Sequence, residues 1–370
     1  MIIGVPREIK DGEYRVGMTP EGVAAVVARG HQVLVQCDAG ARVGFADADY
    51  RAAGADVIAD AAAIYETELV VKVKELYPAE FPLLHPGLTV FCFHHLAPDP
   101  ALMQALIDAR IIAVAYETVG AGDGSLPILK PMSEIAGRLS LAVAMWALQM
   151  GNGGSGTLLT GVDGVPPGKV VILGAGASGN NAAQVAVGLG CRTVVFARTP
   201  RRLKLLEARF PGRVETRISH PDTIAAEIAD ADVVIGAVLT PGQVSPTLIT
   251  RAMLRGMKRG AVLVDIGIDQ KGIAETSRPT SHSNPLFIEE GVVHYCVPNM
   301  PAAVARTATL ALAAASLPYV LEIADHGVKA AAQRDIRLAE GIQLHLGDVT
   351  HHHLARDTGR PYTPLITALR

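Results

Sequence analysis

The stretch from Lys169 to Arg198 restricts the fold of this chain more than any other segment. It begins with an apolar run, Val170 to Leu173, which is typical of a strand buried on both faces of a parallel sheet. A glycine-rich turn follows, then an alanine-rich helical segment that extends to Leu189, and then a second apolar run, Thr193 to Phe196. This order of strand, helix and strand predicts a βαβ unit.

The turn in this unit fits the pattern G-x-G-x-x-G, which is typical of dinucleotide-binding folds. The first glycine permits the tight turn, the second lets the backbone approach a pyrophosphate, and the third lets the helix pack on the strand. Free amide groups at the start of the helix then bind phosphate oxygens. A glycine-rich turn without a nucleotide is the alternative, but strand, helix and second strand are all in place. We therefore predict a dinucleotide site at Gly174, Gly176, Ala177, Ser178 and Gly179.

The end of the second strand departs from the usual fingerprint. That position normally carries an acid that binds the ribose 2′-hydroxyl, and here it is Ala197, followed by Arg198. Alanine leaves room for a 2′-phosphate and does not repel it, and Arg198 can pair with that phosphate or stack on adenine. Thr199, Arg201 and Arg202 lie close by in the sequence. These residues predict a preference for NADP over NAD; the alternative is that the arginines face solvent and either cofactor binds.

Composition indicates a soluble globular protein. The chain has 370 residues, enough for two domains, with 49% hydrophobic and 19% charged residues. A net charge of -3 and an aromatic content of 4% do not favour nucleic-acid binding. The longest apolar stretch, residues 302–324, contains Arg306, Pro318 and Glu322, which makes it a poor membrane span.

The cysteines and the first residues point to the cytoplasm. Four scattered cysteines without a C-x-x-C pair predict reduced thiols; they are Cys37, Cys92, Cys191 and Cys296. The chain starts directly with an apparent strand, without a basic region of the kind that precedes a secretion signal. We predict a cytoplasmic protein without a membrane or nucleic-acid partner. Consecutive helical residues point in different directions, so the run His351 to His353 predicts no metal site.

The rest of the chain predicts two α/β domains, one inserted into the other. In the first third, strands alternate with helices, which indicates a doubly wound parallel sheet. The predicted strands are residues 2–5, 33–35, 69–73, 89–93 and 111–115, and the predicted helices are residues 20–29, 47–53 and 100–109. This part carries no glycine fingerprint, which suggests a substrate domain. Long helical stretches, residues 132–150 and the segment after Pro301, flank the βαβ unit. We therefore predict a substrate domain of residues 1–130 and 305–370, with a Rossmann-type dinucleotide domain of residues 131–304 inserted.

Several polar residues follow the apolar strands. Parallel sheets bind their ligands at the carboxyl ends of the strands, so these residues are candidate site groups. In the first domain they are Arg15, Lys72, Lys74, His94, His95 and Glu117, and in the second Asp269 and Asn299. The alternation of Lys72 and Lys74 places both on one face of a strand end. For each residue alone, a solvated strand end or a satisfied core group is an equal alternative, and Asp265 is interpreted as structural.

At these positions the chain resembles the alanine dehydrogenase family, which is similar in turn to the nucleotide-binding subunit of proton-translocating transhydrogenase. The matching motifs follow one another along nearly the whole chain. They are GVPRE (4–8), RVxxTP (15–20), KVKE (72–75), HLA (95–97), YET (116–118), PMSE (131–134), AGR (136–138), GAGASG (174–179), GAVL (236–239), VDI (264–266), IDQ (268–270), ETSRPT (275–280), HYCV (294–297) and NMP (299–301). Taken together they are highly specific.

The resemblance implies roles for individual residues. Arg15 and Lys74 would bind the carboxylate and carbonyl of a 2-oxo acid, and His95 would be the general acid/base. Asp269 would assist proton transfer, and Asn299 would orient the substrate and the nicotinamide. Further cofactor contacts, in addition to Asp269 and Asn299, would come from Ser133, Val238, Leu239 and Ile266.

The family resemblance also implies an activity and an assembly. The reaction is the reversible oxidative deamination of L-alanine, or a related small amino acid, to the 2-oxo acid and ammonia, with hydride transfer to NAD(P). The family forms homo-oligomers, often hexamers. Residues that are unusual beside the site motifs are His94, Lys130, Gly267, Lys271 and Pro298. If His94 and Lys130 line the substrate pocket, the substrate is larger or more polar than alanine; the equal alternative is that they point away from the pocket.

Two alternative functions therefore stay open. One is a dehydrogenase or imine reductase that joins a different or larger amino acid to a keto acid, and the other is a non-catalytic, transhydrogenase-like nucleotide-binding protein. The joint presence of Arg15, Lys74, His95 and Asp269 argues against the second.

Overall fold

The computed structural model describes residues 1–120, 124–238 and 245–370 of the chain. These residues form two compact units. The first contains Met1–Met132 and Val304–Arg370, and the second contains Ser133–Ala303. The second unit is therefore an insertion in the sequence of the first.

The first unit is built on an eight-stranded sheet. Its strands are β1 (Ile2–Val5), β2 (Gln32–Gln36), β3 (Asp56–Ile58), β4 (Leu69–Val71), β5 (Thr89–Cys92), β6 (Ile112–Ala115), β14 (Ile342–His345) and β15 (Asp348–Val349). Its helices are α1 (Pro20–Val27), α2 (Asp47–Ala52), α3 (Ala61–Tyr65), α4 (Pro100–Asp108), α10 (Ala305–Arg334), α11 (Ile336–Gly341), α12 (His352–Thr358) and α13 (Leu365–Ala368).

The second unit is built on a seven-stranded sheet. Its strands are β7 (Lys169–Leu173), β8 (Arg192–Ala197), β9 (Glu215–Ile218), β10 (Val233–Gly236), β11 (Val262–Asp265), β12 (Leu286–Glu289) and β13 (Val292–Tyr295). Its helices are α6 (Ala177–Gly188), α7 (Pro200–Arg209), α8 (Pro221–Ile228) and α9 (Arg251–Arg255), while α5 (Leu129–Ala147) begins in the first unit and continues into the second.

Both sheets have the doubly wound strand order. In the first, the order is β3-β2-β1-β4-β5-β6, and in the second it is β9-β8-β7-β10-β11-β13, with all of these strands parallel. The order reverses beside β1 and beside β7, and folds of this kind bind ligands at the carboxyl ends of the strands at that point. Antiparallel strands extend the edges: β14 pairs with β6, and β12 pairs with β13. The predicted fold class of two Rossmann-like domains is confirmed.

Local sequence explains where the helices start. Thr19 caps α1 by accepting a hydrogen bond from the Gly22 amide at 3.2 Å, and Pro20 occupies the first turn, where its missing amide hydrogen is not needed. Asp99 caps α4 in the same way, accepting from the Leu102 amide at 2.9 Å. Both helices therefore begin at their predicted first residues, Pro20 and Pro100.

The apolar strands form the cores. Val70, Val90 and Leu106 are fully buried in the first unit, and Val170, Val195 and Val233 are fully buried in the second. At about 25 cal/mol per Å² of apolar area removed from water, such strands are the main source of stability. Polar edge strands contribute less, and the strand β9, with the sequence ETRI, is half-buried or exposed along its length.

Helix α10 is long and apolar enough to cross a membrane by length and composition alone. Half of its most apolar window is buried in the structure, and core helices of soluble proteins pass the same test. Pro318 lies inside the helix, and Gly327 has a φ of 73° at an internal kink. The four cysteines are unpaired; Cys92, Cys191 and Cys296 are buried and Cys37 is half-buried.

Candidate functional site

The first unit gathers charged side chains where β4, β5 and β6 end. Strand β4 ends at Val71 and β5 at Cys92, so the predicted strands 69–73 and 89–93 each extend too far. Lys72 and Lys74 therefore follow the last residue of β4, so the alternation expected within the strand does not apply to them. Their ammonium groups have different partners instead.

Lys72 is a member of a buried ion cluster. Its Nζ lies 2.7 Å from Glu80 Oε1 and 3.8 Å from Glu8 Oε2, and the Lys72 side chain is fully buried. Burial acts to lower the pKa of Lys72, but the two carboxylates outweigh it and the pKa is raised. Tyr65 donates a hydrogen bond to the same Glu80 oxygen at 2.5 Å. Lys72 is therefore structural.

Lys74 has a different environment from Lys72. It is 7% exposed, and its Nζ lies 3.2 Å from Glu75 Oε2. Burial would raise the pKa of Glu75, but Lys74 and Lys10 more than offset it and lower that pKa to about 2. Glu75 is therefore a fixed negative charge that orients the ammonium of Lys74.

Arg15 is held rigidly by its neighbour Glu13. The Glu13 carboxylate accepts hydrogen bonds from Nε at 2.7 Å and from Nη2 at 2.6 Å, a two-point arrangement. The third guanidinium nitrogen, Nη1, lies 3.3 Å from the sulfur of Met132. Arg15 is 1% exposed, so its orientation is set by the protein.

His95 lies in the turn after β5 and has a left-handed backbone, with a φ of 48°. Its ring stacks on Phe93 at a centroid distance of 5.8 Å, and its side chain is 43% exposed. Desolvation and then the positive charge of Lys74 lower the pKa of His95. Water that reaches the exposed part of the ring moderates this lowering.

His94 points into the interior of the first unit. It is fully buried, and its Nε2 lies 3.0 Å from the Val90 carbonyl oxygen. Burial lowers the pKa of His94 to about 4, so the ring is neutral at neutral pH. Of the two alternatives for His94, the structure favours the one in which it does not contact substrate. Lys130 is exposed at the start of α5.

The glycine loop of the second unit is closely packed at its first and third glycines and open at its second. Gly174 has a φ of 115°, and a Cβ there would lie 2.4 Å from the Ala237 carbonyl oxygen. A Cβ on Gly179 would lie 1.8 Å from the Gly174 carbonyl oxygen, so no larger residue fits. Around Gly176, which precedes the first turn of α6, the nearest atom to such a Cβ is Arg202 Nη1 at 3.8 Å. This space and the amide groups of α6 suit a dinucleotide phosphate.

The residues after β8 leave basic groups beside this loop. Ala197 is 4% exposed at the strand end, whereas Arg198, Arg201 and Arg202 are exposed. Within the described part of the chain, none of the three arginines forms an ion pair. Thr199 precedes α7 without capping it through its side chain.

The other predicted cofactor residues that the structure describes follow strands of the second sheet or lie on α5. Val238 and Ile266 are half-buried after β10 and β11, and Leu239 lies outside the described residues. Asp269 is exposed in a short 3₁₀ turn, Ile268–Gln270. Asn299 is half-buried with a φ of 60°.

Ser133 is half-buried on α5, which packs closely on the glycine loop. A Cβ on Gly137 of that helix would lie 2.1 Å from the Ser178 carbonyl oxygen. Asp265 is fully buried and accepts hydrogen bonds from the amides of Gly267 and Ile273 and from the hydroxyl of Ser277. It holds the segment that carries Asp269, so its role here is structural.

Sequence reasoning missed the carboxylates that orient the site cations. Glu13 lies two residues before Arg15, and Glu75 lies one residue after Lys74. An opposite charge this close in the sequence was the signal that could have identified them. Among the described residues, no group of three or more histidines, cysteines or acids is arranged to hold a metal ion.

Comparison with known proteins places this chain among relatives of one kind. Residues 4–136 match the family described as "Alanine dehydrogenase/PNT, N-terminal domain", and residues 140–352 match "Alanine dehydrogenase/PNT, C-terminal domain". The chain is 47% identical over 371 residues to alanine dehydrogenase 2 of Staphylococcus aureus (strain USA300), covering 100% of both chains. It is also 47% identical over 371 residues to alanine dehydrogenase of Staphylococcus haemolyticus, again with 100% of both covered.

The fold has the same relatives. A solved L-alanine dehydrogenase superposes with a TM-score of 0.94 at 45% identity, covering 97% of this chain and 99% of that one. A transhydrogenase from Sinorhizobium meliloti shares the fold, with a TM-score of 0.80 at 23% identity and coverage of 95% and 99%. The chain belongs to the alanine dehydrogenase/PNT family.

Proposed function

We propose that this protein is a nicotinamide-dependent amino-acid dehydrogenase that deaminates L-alanine, or a related small amino acid, reversibly to the 2-oxo acid and ammonia. The observation that supports the proposal is that Lys74 and His95 follow β4 and β5, where parallel sheets bind their ligands, and that Arg15, Lys74 and His95 are each held by an acidic partner or a ring contact. The full-length identity of 47% to proteins named alanine dehydrogenase supports it.

The first unit supplies the substrate groups. Arg15, held by Glu13, presents a fixed guanidinium to the substrate carboxylate. Lys74 contacts the carbonyl oxygen or the second carboxylate oxygen. His95 exchanges a proton with the substrate oxygen, and its lowered pKa keeps the ring neutral and able to accept that proton at neutral pH.

The second unit supplies the cofactor groups. The backbone of Gly174, Gly176 and Gly179 and the first turn of α6 hold the dinucleotide phosphates, with Ala177 and Ser178 in that turn. Ser133, Val238, Leu239 and Ile266 complete the cofactor contacts, Asn299 orients the substrate and nicotinamide, and Asp269 assists proton transfer. The bound nicotinamide would supply the hydride acceptor for C2 of the amino acid, and water would hydrolyse the resulting iminium to the 2-oxo acid and ammonia.

The test is an absorbance assay of dinucleotide reduction with a panel of amino acids. His95→Ala should lower turnover by about 10²–10⁴-fold while dinucleotide binding is retained. His353→Ala, which removes an exposed histidine of the first unit, is the matched control and should leave turnover unchanged. Near-normal turnover in His95→Ala would overturn the catalytic assignment, and activity only with a larger amino acid plus a keto acid would favour N-alkylation.

We further propose that NADP is preferred over NAD. A 2′-phosphate fits the end of β8 because Ala197 brings no negative charge there. The guanidinium of Arg202 lies beside Gly176, and Arg198 is exposed next to the same strand end. One hydrogen bond to a charged group contributes about 1.5–3 kcal/mol, which is about tenfold to a hundredfold in affinity.

The test compares kcat/KM for the two cofactors. Arg198→Ala and Arg202→Ala should weaken NADP use by about tenfold or more with little effect on NAD, and Ala197→Asp should shift the ratio toward NAD. Lys204→Ala removes an equal charge from the exposed face of the same helix and should not change the ratio. Equal or better efficiency of the wild type with NAD would refute the preference.

We also propose that the protein is a cytoplasmic homo-oligomer, a hexamer by family resemblance, with residues 1–130 and 305–370 serving the substrate and residues 131–304 serving the dinucleotide. Light scattering of the purified protein gives the oligomer size, and a monomeric mass would contradict the assembly. Cell fractionation tests the location.

A further inference from the structure

We propose that Glu117 is the positioning residue for His95: its buried carboxylate holds the turn that presents the imidazole. The inference rests on the proposed function, in which His95 exchanges the substrate proton. The two residues follow different strands: Glu117 comes after β6, and His95 comes after β5.

The carboxylate of Glu117 binds the backbone of the turn. Its Oε1 accepts hydrogen bonds from the His95 amide at 2.7 Å and from the His94 amide at 3.2 Å, and Oε2 lies 3.3 Å from the same His94 amide. The side chain of Glu117 is only 15% exposed. Two consecutive amide groups thus point to one charged acceptor, an arrangement that gives short and strong hydrogen bonds.

The conformation of His95 needs such support. Its φ of 48° is left-handed, which is unfavourable for a residue with a side chain. This conformation aims the ring along Phe93, with an angle of 6° between the two ring planes. Without the acceptor, the turn would relax toward negative φ, and the imidazole would leave this position.

Glu117 acts through the backbone and not mainly through its charge. The distance from Glu117 Oε1 to His95 Nδ1 is 4.0 Å, too long for a hydrogen bond. The charged and titratable groups that shift the pKa of the His95 ring are Lys74, Glu75, Lys10 and His94. Glu117 also faces the ring, at the 4.0 Å given above. Removing the charge but keeping the acceptor oxygen should therefore preserve the site.

Two substitutions separate these effects. Glu117→Ala removes the acceptor and should lower kcat by about a hundredfold, as expected for a misplaced catalytic group, with little change in KM for the amino acid. Glu117→Gln keeps an oxygen where Oε1 lies and should retain most of kcat. Asp60→Ala, which removes a carboxylate that accepts the Ala62 amide at 2.9 Å at the start of α3, is the matched control and should keep full activity.

A double-mutant cycle tests whether Glu117 acts through His95. In a His95→Ala background, Glu117→Ala should cause no further loss of kcat. A crystal structure of Glu117→Ala should show residue 95 outside the left-handed region, and hydrogen exchange at the amides of residues 94 and 95 should speed up. This structural arm does not depend on turnover, so it still decides the inference if the wild type has no alanine dehydrogenase activity.

Three results would overturn the inference. They are full kcat in Glu117→Ala, a Glu117→Gln variant as impaired as Glu117→Ala, and an additional loss of kcat in the double variant. If Glu117→Ala does not fold, two other measurements decide the inference. They are the kcat of Glu117→Gln and the exchange rates of the wild-type amides of residues 94 and 95, which should be slow.

Discussion

Replacing Glu8 with glutamine should remove a loss of stability that the first unit undergoes as the pH rises from acidic to neutral values. The Glu8 side chain is 2% exposed, and its Oε1 accepts the amides of Val73 at 2.6 Å and Lys74 at 3.3 Å. Burial raises the pKa of Glu8 to about 7, despite the opposing attraction of Lys72. A glutamine oxygen can accept the same amides without a charge.

The direction of the pH dependence follows from the raised pKa of Glu8. A carboxyl group whose folded-state pKa exceeds its unfolded value stabilises the fold below the unfolded pKa, and this contribution is lost as the pH rises through the folded value. For Glu8 the window runs from the ordinary value of 4.5 to about 7. At 1.36 kcal/mol per pKa unit the full contribution is about 3 kcal/mol, so the advantage of Glu8→Gln should grow by about 2–3 kcal/mol between about pH 5 and pH 8.

Hydrogen exchange is the suitable assay. The one tryptophan, Trp146, lies in the second unit, so its fluorescence does not report on the first. Exchange protection of the β1 and β4 amides, measured at several pH values, reports on the stability of the first unit. Glu80→Gln is the matched control: it removes the anion 2.7 Å from Lys72 and should destabilise the first unit at every pH, by about 3–5 kcal/mol. Identical pH profiles for Glu8→Gln and wild type would refute the reasoning.

The other predictions concern the second unit. Gly179→Ala should abolish dinucleotide binding in a fluorescence titration, because its Cβ would lie 1.8 Å from a carbonyl oxygen. Gly188→Ala, in the same helix with open space around it, should bind normally and unfold at higher urea, with about 0.5–1 kcal/mol more stability. Asp265→Ala leaves three donors without an acceptor and should lower stability by about 3 kcal/mol or more, measured by Trp146 fluorescence in urea; an unchanged midpoint would contradict this role.

Buried parallel strands were predictable because they are continuous apolar runs. Strand β1 has the predicted bounds, β7 begins one residue before its predicted run, and β8 extends one residue beyond its predicted run at each end. Strands such as β9 and β14 were missed, because edge strands and short antiparallel strands need few apolar residues. Strand ends were misjudged where apolar residues such as Val73 and Phe93 continue past the last residue of the strand.

The site was only partly predictable for a similar reason. Sequence position identifies residues at strand ends, and the resemblance assigns Arg15, Lys74 and His95 their expected roles. It does not show that Lys72 turns inward to Glu80, nor that Glu117 reaches from one strand to the turn of the next. Such contacts depend on side-chain directions after the strand has ended, where the two-residue alternation no longer holds.

The insertion of one unit into the other has a consequence for synthesis on the ribosome. The whole second unit leaves the ribosome before residue 304. The first sheet is complete only after β14 has been synthesised, and β14 lies more than two hundred residues after its partner β6. During that interval the open edge of β6 lacks its partner, and unpaired edges of this kind promote association between nascent chains. The second unit should thus reach its native state first, and the nascent first unit should be the one that chaperones protect.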